Sequence, residues 1–167
     1  MAVNSRPDNA YNQNRLNMGL SIHSDDHFMK EALKQAESAM EEKEIPVGAV
    51  IVCNNKIIAR AYNQTEKLND STAHAEMIAL TAAFNYLGGK YLPDCSIYIT
   101  LEPCIMCAGA LYWSQIGKLI FGASDLKRGY RTAKSTILHP KTEVKEGILA
   151  QDCKQILDKF FITIRNN

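Results

Sequence analysis

The chain has 167 residues, 46% hydrophobic and 22% charged, with a formal net charge of +1. That is the size and composition of about one globular domain that buries its own core without disulfide staples. No apolar run reaches the roughly 18 residues of a membrane span. The N-terminus carries neither the apolar core of a signal peptide nor the Arg/Ser-rich character of a transit peptide, so a cytoplasmic protein is expected. Five cysteines, an odd number, point to reduced thiols or metal ligands rather than a disulfide framework.

In chain order, residues 1–22 are rich in Asn and poor in large apolar residues. They are read as a flexible N-terminal extension, with residues 23–167 as a single domain. Ser24, Asp25 and Asp26 supply a cap and an acidic first turn. Phe28, Met29, Leu33, Ala36 and Met40 follow at helical spacing until Pro46 ends the pattern. "VGAVIVC" (47–53) and "KIIARAY" (56–62) are predicted strands joined by a hairpin at Asn54-Asn55. Asn63 to Ser71 is a polar loop. A helix is predicted from about Thr72–His74 to Gly88-Gly89, where Gly suits the C-terminal cap. "CSIYITL" (95–101) is a strand. "EPCIMCAGALYWS" follows as a helix, with Pro103 suited to its first turn. "KLIFGAS" (118–124) is another strand, residues 125–141 are basic and without clear periodicity, and a short strand near Glu143–Lys145 precedes a last helix from about Ala150 to Ile164. Helices alternating with apolar strands predict an α/β domain around a mixed sheet.

The chemistry concentrates at two predicted helix starts. His74 and Glu76 open one; Cys104 and Cys107, three apart and therefore on one helix face, open the other. Helix N-termini favour anions and so stabilise thiolates, and side chains lean back towards that end. Two such starts facing each other enclose a cation with one nitrogen and two sulfur ligands, a zinc-like set. Taken alone, each half has a bland explanation: a capping or surface His, a redox pair, or small buried thiols. A structural zinc normally has four protein ligands. Cys53, Cys95, Cys153 and His139 are the possible fourth donors, but Cys53 and Cys95 fall in apolar strand patterns. An open position for water is the more economical reading, with Glu76 as a carboxylate free to move protons.

Charge is unevenly spread. Residues 1–114 hold 9 Lys/Arg against 13 Asp/Glu, and residues 115–167 hold 10 against 5. A basic second half permits a polyanionic partner, though a solvated surface is the simpler account of charge alone.

"HAE" with "PCIMC" resembles the zinc-dependent cytidine deaminase superfamily. "EIPVGAVIV", "YNQ", "TAHAEMIAL", "YITLEPCIMCAGAL", "IGKLIFGASD" and "EGILAQDCKQILDKFF" resemble the bacterial tRNA-specific adenosine deaminase family, over about residues 25 to 165. The resemblance implies a three-layer α/β/α sandwich with a central five-stranded mixed sheet. It implies one Zn²⁺ per subunit on His74, Cys104 and Cys107. Glu76 is then the catalytic proton carrier in hydrolytic deamination of the wobble adenosine (position 34) of tRNA to inosine. Asn63 matches the residue that hydrogen-bonds the flipped base, Pro46 and Val47 the pocket wall, and the backbone near Ala75 and Cys104 a holder of water and leaving group. Asp125 matches a loop position near the flanking nucleotides. Phe160, Phe161 and Arg165 match a helix bordering the RNA, although core packing would explain the two Phe equally well. The family is homodimeric and binds the tRNA anticodon stem-loop; Tyr112 and Trp113 lie at the dimer interface or pack on the sheet. The segment "LKRGYRTAKSTILHPKTEV" after Asp125 departs from the family pattern, which is longer and richer in small residues there. Two rivals are a free-base deaminase acting on guanine or cytosine and a non-catalytic zinc-stabilised RNA-binding module. The second has no use for Glu76 and needs a fourth protein ligand.

Overall fold

The computed structural model describes residues 23–166; the expected extension at 1–22 lies outside the described residues. Helix α1 (Asp25–Glu41) begins at Ser24, whose hydroxyl accepts the His27 N–H, satisfying a donor that the helix itself leaves unpaired. Strands β1 (Gly48–Cys53) and β2 (Lys56–Tyr62) form an antiparallel hairpin. Both turn residues, Asn54 and Asn55, have positive φ, 50° and 59°, the geometry that matches the twist of the flanking strands. Helix α2 (Ala75–Leu87) closes at Gly88 in the left-handed region. Strand β3 (Cys95–Leu101), helix α3 (Ile105–Ser114), strand β4 (Lys118–Ala123), strand β5 (Glu143–Glu146) and helix α4 (Ala150–Arg165) complete the order.

Two boundaries differ from the sequence expectation. Helix α3 starts at Ile105 with Cys104 as its N-cap, so Pro103 stands outside it. The cause is tertiary: the Pro103 carbonyl accepts the Tyr130 N–H and Cys104 bridges Gly129, which keeps this backbone extended. The basic segment 125–141 resolves into turns and one 3₁₀ turn, Tyr130–Thr132.

The sheet order is β2-β1-β3-β4-β5. β1 runs antiparallel to both β2 and β3, while β3, β4 and β5 are parallel. β2, β3 and β4 therefore end at the same edge of the sheet, the edge at which β1 begins. The connections β2-α2-β3 and β3-α3-β4 are crossovers, so α2 and α3 both start at that edge, where open α/β sheets place their ligands.

Alternation along the strands divides the core. Ala49, Ile51, Ile97, Ile99, Leu119 and Phe121 face α2 and α3. Val50, Val52, Tyr98 and Ile120 face α1 and Cys153 of α4. Helices on both faces explain why the inner strands are nearly continuous apolar runs. The outer strand β5 is exposed at every position, and its charges discourage pairing with another chain.

Asp25 ties three elements together. Its carboxylate accepts the Tyr98 hydroxyl of β3 and the Lys145 ammonium of β5. Burial alone would raise this carboxyl, but those two partners outweigh it and hold the group below its ordinary value. A depressed carboxylate contributes its full stability above the unfolded value of about 3.9 and loses it as pH falls through the folded one. Asp25→Ala is expected to cost about 1 kcal/mol at pH 7. In urea unfolding, that gap persists down to about pH 4 and narrows below it.

Candidate active site

Each half of the site is a helix start whose N-cap side chain does not cap. His74 precedes α2 with extended backbone (φ −72°, ψ 153°), and Cys104 precedes α3 likewise (φ −71°, ψ 172°). Extended geometry at the cap turns each side chain into the space before its helix. Local bonds prepare the His74 turn. The Asp70 carboxylate accepts the Thr72 N–H and hydroxyl at 2.8 and 2.7 Å, and the Gln64 N–H donates to the Ala73 carbonyl at 3.0 Å. The approach to α2 is thereby tied to the end of β2.

The His74 Nδ1 lies 3.6 Å from the Cys104 sulfur and 3.5 Å from the Cys107 sulfur. The three donors all lie within 4.8 Å of one another. A sulfur at about 2.3 Å and a nitrogen at about 2.0–2.1 Å from one tetrahedral zinc are about 3.5 Å apart, so the donor set fits that ion. Its chemistry fits as well. The Cys107 thiol hydrogen-bonds the Cys104 sulfur and, with His74, pulls the Cys104 thiol down to about 4. The same contact pushes the Cys107 thiol up. A cation binding both sulfurs would displace the protons they carry.

The other possible donors lie elsewhere. Burial pushes the Cys95 and Cys153 thiols up to about 12, as expected of inert core thiols. The Cys53 thiol faces the Asp94 carbonyl, and His139 Nδ1 accepts the Lys141 N–H. Among the described residues only His74, Cys104 and Cys107 form a candidate metal group. Glu76 is not part of it. Glu76 is buried in the first turn of α2, where burial raises its carboxyl to about 7. A carboxylate desolvated beside a cation site, and not spent on ligation, is suited to taking and returning a proton.

The remaining expected residues divide by place. Pro46 and Val47 lead into β1, and the Asn63 N–H donates to the Val47 carbonyl at 3.0 Å, so all three stand at the site's edge of the sheet. Asn63 is buried, and its amide nitrogen donates to Glu44 at 3.3 Å and Thr65 at 3.4 Å. Ala75 is the first residue of α2, and its N–H is among those a helix start leaves without an intrahelical acceptor. Asp125 follows β4 at the same edge. Its carboxylate accepts the Lys127 and Arg128 N–H groups and shapes a turn. Phe160, Phe161 and Arg165 lie on α4, across the sheet from α2 and α3, with Phe160 buried and Phe161 exposed. Tyr112 and Trp113 do not pack on the sheet: both are exposed on α3, Trp113 at 76%.

Two residues that sequence reasoning passed over are buried carboxylates. Glu44 accepts the Lys67 N–H at 2.7 Å, the Glu66 N–H at 3.2 Å and the Asn63 amide. Glu102 accepts four N–H groups of residues 125–131. The only signal in sequence was a Glu within or beside an apolar run and next to a Pro-containing turn, "EIP" and "LEP".

The model of the cytidine and deoxycytidylate deaminase zinc-binding region matches residues 22–123. A tRNA-specific adenosine deaminase of Aquifex aeolicus is 45% identical over 146 residues, which is 85% of this chain and 97% of that one. One of Rickettsia felis is 44% identical over 144 residues, 82% of this chain and all of its own length. A solved tRNA:A34 deaminase superposes with a TM-score of 0.73 at 41% identity, covering 78% of this chain and 99% of that chain. A guanine deaminase of Nitrosomonas europaea shares the fold, with a TM-score of 0.71 at 20% identity over 96% of this chain and 95% of its own. With a donor set built for zinc and relatives this similar along nearly their whole length, the chain belongs to the zinc-dependent deaminases, in the family of the tRNA-specific adenosine deaminases.

Proposed function

We propose that the chain converts the wobble adenosine of a tRNA anticodon loop to inosine by zinc-dependent hydrolytic deamination. The observation that carries this reading is Glu76, buried beside the His74–Cys104–Cys107 donor set but outside it, in a chain whose near-full-length relatives are tRNA adenosine deaminases. A non-catalytic zinc module leaves such a carboxylate without a use.

His74, Cys104 and Cys107 would hold the zinc, which when bound would supply the Lewis acidity that makes water a nucleophile near neutral pH. Glu76 takes a proton from the attacking water as the water oxygen bonds to C6 of adenine. It returns the proton to the base and then assists the amino group, which leaves as ammonia; adenosine and water become inosine and ammonia. Asn63, held by Glu44, borders the base pocket with Pro46 and Val47. The N–H groups at the starts of α2 and α3, near Ala75 and Cys104, are donors to the oxygen and the leaving group. A base in an anticodon loop is already unpaired, which lowers the cost of extruding it.

Residues 125–134 supply the anion-binding rim; Lys141 lies at the other end of β4. Among the described residues Lys127, Arg128, Lys134 and Lys141 are exposed and pair with no carboxylate, whereas Lys118, Arg131, Lys145 and Lys154 do. On the far side of the sheet, Phe160 holds α4 in place and leaves Phe161 and Arg165 for RNA. Phosphate contacts of this kind weaken as salt rises.

The active form is a homodimer with one zinc per subunit. α2 and α3 leave an outward groove of about 370 Å³ bordered by Met77, Leu80, Phe84, Tyr91 and Trp113. An exposed Trp over an apolar groove is costly in a monomer and typical of a binding surface. No helix among the described residues is long and apolar enough to cross a membrane. An RNA substrate and free cysteines agree with a cytoplasmic enzyme.

The purified protein is expected to form inosine in an anticodon stem-loop with A at the wobble position and to leave free guanine, cytosine and cytidine unchanged. Turnover of a free base with the RNA untouched would sink the reading. Glu76→Gln is expected to retain zinc, measured by elemental analysis, while turnover falls by about 10²-fold or more; a fully active variant would remove Glu76 from the mechanism. Trp113→Glu is expected to yield monomers in light scattering with zinc content unchanged, and a dimer that persists places the interface elsewhere.

A further inference from the structure

We propose that Glu102 is a positioning residue: its buried carboxylate moulds residues 125–131 into a basic rim beside the metal-bearing start of α3, with Arg131 as its counter-ion. The proposal rests on the RNA reading above and names the part of the chain that sets how tightly the RNA is held there.

Glu102 sits between β3 and the Cys104 cap, and its side chain is 1% exposed. A carboxylate there must be neutralised and hydrogen-bonded to stay in place. Both needs are met from one short loop. Oε2 accepts the Asp125 N–H at 3.0 Å and Arg131 Nη2 at 2.9 Å, and Oε1 accepts the Arg131 N–H at 3.2 Å and Nε at 3.1 Å. The loop thus starts and ends on the same carboxylate.

The interior of the loop is shaped to match. A Cβ at Gly129 would lie 2.4 Å from the Glu102 carboxyl carbon and 2.5 Å from the Asp125 carbonyl oxygen, so no larger residue fits unless the loop lifts off. The Gly129 N–H donates to the Asp125 carbonyl and the Tyr130 N–H to the Pro103 carbonyl, both at 2.9 Å, and Gly129 bridges Cys104. One zinc ligand is thereby tied by its backbone to the loop that Glu102 organises. The Asp125 carboxylate then accepts the Lys127 and Arg128 N–H groups, and that turn carries both side chains to the surface, where they are exposed.

Arg131 is committed inward. Its guanidinium also reaches the Ser124 hydroxyl at 3.0 Å, pairs with Glu146, and lies over the Phe121 ring at 5.1 Å from its centre. A planar fork that makes a bidentate pair and stacks on a ring is not replaced by lysine. Arg131 therefore counts as a structural cation, and Lys127 and Arg128 are the ones presented to phosphate.

The test compares wild type with Arg131→Met, Arg131→Lys, Glu102→Gln and Glu146→Ala, as zinc-loaded protein. The readouts are zinc content, KM and kcat on the wobble-A stem-loop, and hydrogen exchange of the 125–131 amides. Arg131→Met is expected to raise KM about tenfold and speed exchange at Asp125 and Arg131, with kcat and zinc content close to wild type. Arg131→Lys recovers only part of the loss. Glu146→Ala, which removes only the exposed partner, leaves KM as it was. Glu102→Gln keeps the shape but not the charge and moves KM in the same direction as Arg131→Met. An Arg131→Met enzyme that is less thermostable but keeps its KM and its 125–131 exchange rates overturns the proposal, leaving the pair as packing alone. If wild type itself leaves the RNA unchanged, the deaminase reading fails, and accelerated exchange in Arg131→Met still decides whether Glu102 organises the loop.

Discussion

Everything at the active edge depends on two helix N-termini standing at the ends of strands that run the same way. Because β2 and β3 are both antiparallel to β1, the helices that follow them start side by side although His74 and Cys104 are thirty positions apart. At each start the residue that would ordinarily cap is turned away from its own helix, since neither His74 nor Cys104 makes a side-chain cap bond. Each end thereby forgoes a contribution of about 1 kcal/mol. A cation shared by the two caps would offset this, because metal ligation by a site absent from the unfolded chain is folding free energy. The positive ends of the two helices also favour the anionic sulfurs that such an ion requires.

Three glutamates among the described residues are buried, Glu44, Glu76 and Glu102, and all lie near this edge. Their surroundings assign different work to the same side chain. Glu44 and Glu102 are met by backbone N–H groups and, for Glu102, by a guanidinium. Burial works to raise the Glu102 carboxyl, but Arg131 and the two N–H donors outweigh it and hold it below its ordinary value. Glu102 stays charged, and both carboxylates organise the loops around the pocket through the N–H groups they accept. Glu76 has burial as its dominant influence and is raised to about 7. Carboxylates driven apart by environment are how one fold obtains both fixed counter-charges and a mobile proton.

Most of this was legible because it is periodic or spaced. Helical recurrence found α1, the positive-φ preference of Asn found the hairpin, and the His-x-Glu and Cys-x-x-Cys spacings found the donors without any knowledge of the sheet. What stayed hidden is what periodicity cannot carry. The place of Pro103 is decided by a carbonyl that pairs with Tyr130, twenty-seven residues on, so a local preference for the first turn lost to a tertiary bond. Residues 125–131 show no period because that stretch is shaped around the Glu102 carboxylate, and only scattered side chains of the rest, such as Leu138, reach the core. Glu44 and Glu102 look like any surface glutamate until burial and donors are known.

The charge asymmetry illustrates the same distinction. Counted by halves, the second part of the chain offers ten cations, as if all were available to a polyanion. Folding commits Lys118, Arg131, Lys145 and Lys154 to carboxylates, and Arg131 in particular is consumed in building the loop. Of the six that remain, Lys127, Arg128 and Lys134 project from the segment that follows β4, whose backbone is tied to Cys104, while Lys141 precedes β5 and Lys159 and Arg165 lie on α4. A net charge drawn from sequence can suggest the kind of partner. Only the pairing of individual cations determines which of them remain to meet it, and here two of those left over, Lys127 and Arg128, are carried by the turn whose backbone is tied to Cys104.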